Sequence, residues 1–159
     1  MNTLLKASLA LTLTASQAMA LSCMPPDVAR GFNQIASSNQ TYVVLNGTFS
    51  FAARPPRGDE QRPQTQSYAA KFNGTLLTGN GFTDEISDVL VTINSNCAAS
   101  WCGDITPGID YIAFVEQNGR NLTLQAEPCT IFAYPEPTQE QIQRVEDCAA
   151  GKACIAVDR

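Results

Sequence analysis

The chain has 159 residues, of which 44% are hydrophobic and 16% charged, with six cysteines, no histidine and a formal net charge of -5. That acidity argues against nucleic acid or an anionic membrane surface as partner. The missing histidine removes the commonest general base and rules out Ser-His and Cys-His nucleophile activation, so an enzyme is not expected.

The N-terminus has the form of a signal peptide: Lys6 supplies the positive charge, and the apolar run Ala7 to Leu13 follows it. A bilayer-spanning helix needs about 20 apolar residues, which neither this run nor any later one reaches, so no transmembrane segment is expected. Two cleavage sites fit the small-x-small rule, after Ala18-Met19-Ala20 and after Ala20-Leu21-Ser22, and the first is the better match. Cleavage there makes residues 1–20 the signal and residues 21–159 an exported domain, periplasmic or secreted. A lipoprotein would instead acylate Cys23, but Ala20 stands where such signals usually carry Leu. Removing Lys6 leaves nine bases against fifteen acids, a net charge of -6 for the exported chain.

Cys23, Cys97, Cys102, Cys129, Cys148 and Cys154 all follow the signal, and an even count in a small exported domain reads as a disulfide framework. Six cysteines allow fifteen connectivities. Proximity favours Cys97 with Cys102 and Cys148 with Cys154, which leaves Cys23 to reach Cys129. In the chain-entropy account the long loop contributes on the order of 4 to 5 kcal/mol and each short one about 2. Structural zinc fits poorly without histidine or paired Cys-x-x-Cys knuckles, and no metal or other cofactor is expected.

Along the exported chain, Val28, Phe32 and Ile35 follow Pro25-Pro26-Asp27 at helical spacing, which predicts a helix near residues 26–36. Tyr42 to Phe51 is rich in β-branched and aromatic residues, a strand with a bulge or bend at Gly47. Arg54 to Gln66 holds three prolines, three arginines and no apolar residue, and reads as an exposed loop. Its Arg57-Gly58-Asp59 spells an integrin-adhesion tripeptide, a match that three common residues reach by chance.

Strand-like runs follow at Ser67 to Leu77, Ile86 to Ile93 and Asp110 to Gln117, the last meeting Arg120 to Ala126 across Asn118-Gly119, a strong hairpin signal. Thr138-Gln139-Glu140-Gln141 has capping-box form, and Ile142, Val145 and Ala149 predict a closing helix from about Gln139 to Ala149, stopped at Gly151. The expected fold is mainly β with flanking helices, a small five-stranded barrel in one domain. Its core draws on Val43, Leu45, Phe49, Val91, Ile93, Ile112, Phe114, Leu122 and Leu124, some of which alternation turns outward.

The order of Cys23-Met24-Pro25-Pro26, Val43-Val44-Leu45-Asn46-Gly47-Thr48-Phe49, Cys102-Gly103, Pro107 to Phe114 and Cys129-Thr130 resembles the netrin-like, or tissue-inhibitor-of-metalloproteinase-like, domain. The resemblance covers most of Cys23 to Ala149 and implies an OB-like barrel. Metalloproteinase inhibitors of that family open with Cys-x-Cys, whereas Pro25 stands where the second cysteine would be. Their chemistry also needs a free amine at the cysteine itself, which cleavage after Ala20 does not leave. The chain is also similar to small exported bacterial proteins with a Trp-Cys-Gly step, here Trp101-Cys102-Gly103, and a C-terminal Cys-x5-Cys helix.

Candidate sites are few. Asp84, Glu85 and Asp88 cluster before a strand, and Asp104 and Asp110 flank Pro107-Gly108; both groups read as turn and surface charge. Trp101, the only tryptophan, is expected to pack beside the disulfide, the alternative being an exposed recognition anchor. Asn39, Asn46, Asn73 and Asn121 head Asn-x-Thr sequons, which read as turn and strand residues unless the chain passes a eukaryotic secretory pathway. The functional expectation is a monomeric module that binds an extracytoplasmic protein or a glycan, with Trp101, Pro25 and Pro26 as possible contacts. The alternative is an envelope-accessory structural domain without a small ligand, and a metalloprotease inhibitor ranks last.

Overall fold

The two prolines before Asp27 cannot continue a helix backwards, so the chain enters its first helix through a cap. In the computed structural model, which describes residues 22–53, 63–129 and 131–157, Asp27 accepts from the Arg30 N–H, and α1 runs Val28–Ala36. The strands are β1 (Tyr42–Ser50), β2 (Gln66–Thr78), β3 (Gly81–Ser95), β4 (Cys97–Ala98), β5 (Trp101–Cys102), β6 (Asp110–Asn118), β7 (Asn121–Ala126) and β8 (Ala133–Pro135). Helix α2 (Gln139–Ala149) closes the chain.

The fold is mainly β, and its larger sheet closes nearly in a ring. Strand β1 pairs antiparallel with β2 on one edge, Leu45 opposite Leu76, and with β6 on the other, Leu45 opposite Ala113. Strand β2 pairs with β3, β3 runs parallel to β7 from Thr92 opposite Thr123 to Ser95 opposite Ala126, and β7 returns to β6. The second edge of β6 is shared, its Tyr111–Ala113 stretch pairing with β8.

Period-two alternation sorts the apolar residues into two cores. Leu45, Phe49, Tyr68, Phe72, Val91, Ile93, Tyr111, Ala113, Val115 and Leu124 pack together inside the ring, with Ile105 from the β5–β6 connection. Ile112 and Phe114 point the other way and join Val44, Val28 and Ile35 of α1, Tyr134 of β8 and Val145 of α2. Strand β6 is therefore buried on both faces, five residues in a row. Of the expected core, seven residues are buried, and Val43 and Leu122 are partly buried against the ring interior.

Three local features follow from glycine. Gly47 of β1 lies opposite Gly74 of β2, and a Cβ on either would run into a backbone carbonyl across the pair, Asn73 O or Asn46 O. Gly119, at φ 61, is the first central residue of the two-residue loop between Asn118 and Asn121, the place a type II′ turn reserves for glycine. Gly151, at φ 75, ends α2: its N–H donates to Cys148 O and that of Lys152 to Asp147 O, the paired bonds of a Schellman motif. At the other end of α2 both halves of the Thr138/Gln141 capping box form.

The third strand is longer than its apolar run. Asp84, Glu85 and Asp88 do not precede a strand but lie within β3, where the pairing with β2 shifts register. Asp88 takes φ 52, and Asn73 Oδ1 accepts from Ser87 Oγ and the Asp88 N–H, so the extra residue is held by the opposite strand. Strands β4, β5 and β8, each two or three residues long, carry no periodic signal of their own. The expected signal peptide, the Arg-Gly-Asp tripeptide and Thr130 lie outside the described residues. No helix among the described residues is long and apolar enough to cross a membrane.

Candidate functional site

All six cysteines are paired: Cys23–Cys129, Cys97–Cys102 and Cys148–Cys154, with Cα–Cα separations of 5.4, 4.0 and 4.8 Å. This is the connectivity that proximity favours. Each bridge secures a segment that the main sheet does not hold by itself.

The first segment is the strap Ser22 to Pro26, exposed throughout and pinned by Cys23–Cys129 at one end and Asp27 at the other. Asp27 is 8% exposed and joins four elements. Its Oδ1 accepts from the Arg30 N–H at 3.0 Å; its Oδ2 accepts from Arg144 Nη1 of α2 and from the Val157 N–H of the tail, each at 3.2 Å. Its carbonyl oxygen accepts from Tyr134 Oη at 2.9 Å. Burial raises the Asp27 carboxyl, but the Arg30 and Val157 N–H groups and the Arg144 charge outweigh it and hold the pKa below the ordinary value. Burial, reinforced by the Asp27 charge, pushes the Tyr134 phenol well up, so it stays a neutral donor.

Two grooves flank the strap. One, of about 370 Å³, lies between Pro25-Pro26 and the start of α2, with Thr138, Gln141, Arg144 and Val157 in its walls. The other, of about 210 Å³, lies beside the Cys23–Cys129 bridge and is lined by Met24, Arg30, Gly31, Ile131 and Tyr134. Gly31 keeps the helix close to the sheet there, since a Cβ would meet Ile131 O at 2.7 Å and the Phe114 ring at 2.8 Å.

The second segment is the β4–β5 hairpin. Cys97 pairs with Cys102 and Ala98 with Trp101, while Ala99 turns the chain at φ 53. The expectation that Trp101 packs into the core is overturned: it is 58% exposed. Alternation puts Trp101 with Ala98 on the face opposite the disulfide, and the residues around it at the hairpin tip, Ala98, Ala99 and Ser100, are exposed with it. Trp101 lines neither groove beside the strap, so Pro25 and Pro26 share a site and Trp101 stands apart.

The remaining sequence candidates do not converge. Asp104 Oδ1 accepts from the Ile105 N–H at 2.8 Å, Asp110 is exposed at the start of β6, and Asp88 pairs with Lys71 on the surface. Among the described residues no group of three or more Cys, Asp or Glu side chains is placed to hold a metal ion. Asn39 and Asn121 are exposed, Asn46 is half-buried in β1, and Asn73 is engaged by the β3 bulge. The linkage of Asp27 with Arg144, Tyr134 and Val157 escaped sequence reasoning. Only the cap had a signal, an aspartate directly after two prolines. Comparison with protein-family models, with curated proteins and with solved structures finds no match to the chain.

Proposed function

We propose that the chain is an exported, disulfide-stapled binding module built on an OB-like barrel spanning residues 21–159, which recognises an extracytoplasmic protein or glycan. The barrel reading rests on the cycle β1-β2-β3-β7-β6-β1 with its one parallel pair, β3 with β7. A netrin-like relationship is part of the same reading. Three disulfides agree with export to an oxidising compartment.

The observation that carries the binding role is Trp101, a large aromatic 58% exposed on a hairpin locked by Cys97–Cys102. An indole left in water on a rigid support costs little ordering entropy when a partner covers it, which is the economy of a recognition anchor. A purely structural domain has no use for such a display. The strap, with its free Pro25-Pro26 surface, is a second contact region. Zinc-chelating inhibition is disfavoured, because Leu21 as first residue leaves no free amine at Cys23.

Affinity capture with immobilised wild-type protein and with Trp101→Ala, from extracts of the cells that export it, tests the reading. Material retained by the wild type and lost with the variant supports it. Equal retention by both would favour the structural alternative.

A further inference from the structure

From the surroundings of Trp101, we infer that its hairpin and the end of β7 form a subsite for a neutral oligosaccharide, with Trp101 as the stacking platform and Asn96, Gln125 and Glu127 as the hydroxyl-reading groups. This rests on the binding role proposed above and names the ligand class. Asn96 directly precedes β4; its carbonyl accepts from the Gly103 N–H at 2.8 Å and its own N–H donates to Ala126 O at 2.9 Å, so it joins the hairpin to the end of β7. Gly103 comes two residues after Trp101, so the Asn96 group sits at the base of the hairpin whose outer pair carries Trp101. Gly103 adds no side chain there, and a Cβ on it would collide with the Ala126 carbonyl.

The polar groups are already organised. Asn96 Nδ2 donates to Gln125 Oε1 at 3.0 Å and to Glu127 Oε1 at 2.8 Å. Both amide hydrogens of Asn96 are spent inside the protein, which leaves Asn96 Oδ1, Gln125 Nε2 and Glu127 Oε2 without a protein partner among the described residues. All three residues are half-buried, so these free atoms come from side chains whose positions are set. The result is an acceptor, a donor and an acceptor on planar groups.

Adjacent sugar hydroxyls each donate and accept, and they suit such planar groups. The C–H faces of a pyranose suit the electron-rich face of an indole. Two features turn the choice away from other ligands. Glu127 and the acidic chain repel anionic sugars and nucleic acid. The neighbours of Trp101 at the hairpin tip, Ala98, Ala99 and Ser100, are small and exposed, and they supply no apolar rim of the kind that surrounds a protein hot spot.

Trp101 is the only tryptophan, so indole emission excited at the red edge of its absorption reports on this site alone. The experiment titrates the oxidised protein with neutral hexasaccharides of glucose, N-acetylglucosamine, mannose and galactose, with oligogalacturonate as anionic comparator. Calorimetry measures Trp101→Ala, Asn96→Ala and Glu127→Gln, and thermal unfolding confirms that each variant folds. The expected result is a saturable emission change with at least one neutral series, binding lost in Trp101→Ala, and affinity reduced about tenfold in Glu127→Gln. Glu127→Gln retains the oxygen that Asn96 uses, so it keeps the inference testable should Asn96→Ala unfold. No response to any neutral series, a response to the anionic probe alone, or binding indifferent to both Trp101→Ala and Glu127→Gln would overturn it. A Trp101-dependent protein partner without any sugar response would overturn the ligand class and leave the binding role standing.

Discussion

Asp27 and Arg144, 117 residues apart in the chain, meet at 3.2 Å, so that the cap of α1 and the middle of α2 share one ion pair. The same carboxylate receives the tail at Val157 and the first turn of α1 at Arg30. The Asp27 side chain thus ties both helices and the C-terminal tail together, and its carbonyl oxygen, accepting from Tyr134 Oη, ties them to β8.

Replacing Asp27 with Ala is expected to cost about 2 to 3 kcal/mol, combining a lost cap with a partly solvated arginine left without its partner. Asp27→Asn keeps a capping oxygen and should cost less. Urea unfolding of the two variants beside the wild type gives the ranking, and equal losses would mean that the charge alone matters.

The same contact has a pH signature. Because the folded-state pKa of Asp27 lies below its unfolded value, the unfolded chain binds the proton first as pH falls. The stabilisation is therefore complete above about pH 4 and is lost as pH drops through the lower folded value. Unfolding free energies measured from pH 6 to strongly acid pH should fall more steeply for the wild type than for Asp27→Asn.

Gly31→Ala is expected to destabilise by about 1 to 3 kcal/mol, although alanine is ordinarily the better helix former. The added methyl would meet the Ile131 carbonyl and the Phe114 ring, so α1 must lift from the sheet. A thermal midpoint at or above that of the wild type would show that the close approach is not needed.

Loss of Cys23–Cys129 by double substitution to Ser should remove on the order of 4 kcal/mol, and loss of Cys97–Cys102 about 2, because the closed loops span 106 and 5 residues. Denaturant unfolding of the two variants decides the order. The short bridge should matter more to ligand binding than to stability, since it stiffens the platform that carries Trp101.

Trp101→Ala should leave stability within about 0.5 kcal/mol of the wild type, the usual range for a surface change remote from caps and cores. A loss of several kcal/mol would return Trp101 to the packing role.

Much of the architecture was written in local pattern. Helical spacing with its caps placed α1 and α2 to within two residues, alternation and the Asn118-Gly119 step placed β6 and β7, and the nearness of cysteines pointed to the two short bridges, leaving Cys23 for Cys129. These features answer to neighbours a few residues away, so a linear reading reaches them. Tertiary structure decided the rest. The parallel pairing of β3 with β7, the two-sided burial of β6 and the meeting of Asp27 with Arg144, Tyr134 and Val157 join residues far apart in the chain. The N-terminal end of β3, from Gly81 to Glu85, was hidden because it lacks the apolar alternation of a half-buried strand and is held by β2 instead. Trp101 shows the same limit most sharply. It lies between two bridged cysteines, a setting that describes a packed residue as well as a displayed one, and only the folded hairpin, with Trp101 on the face opposite the disulfide, leaves the indole in water.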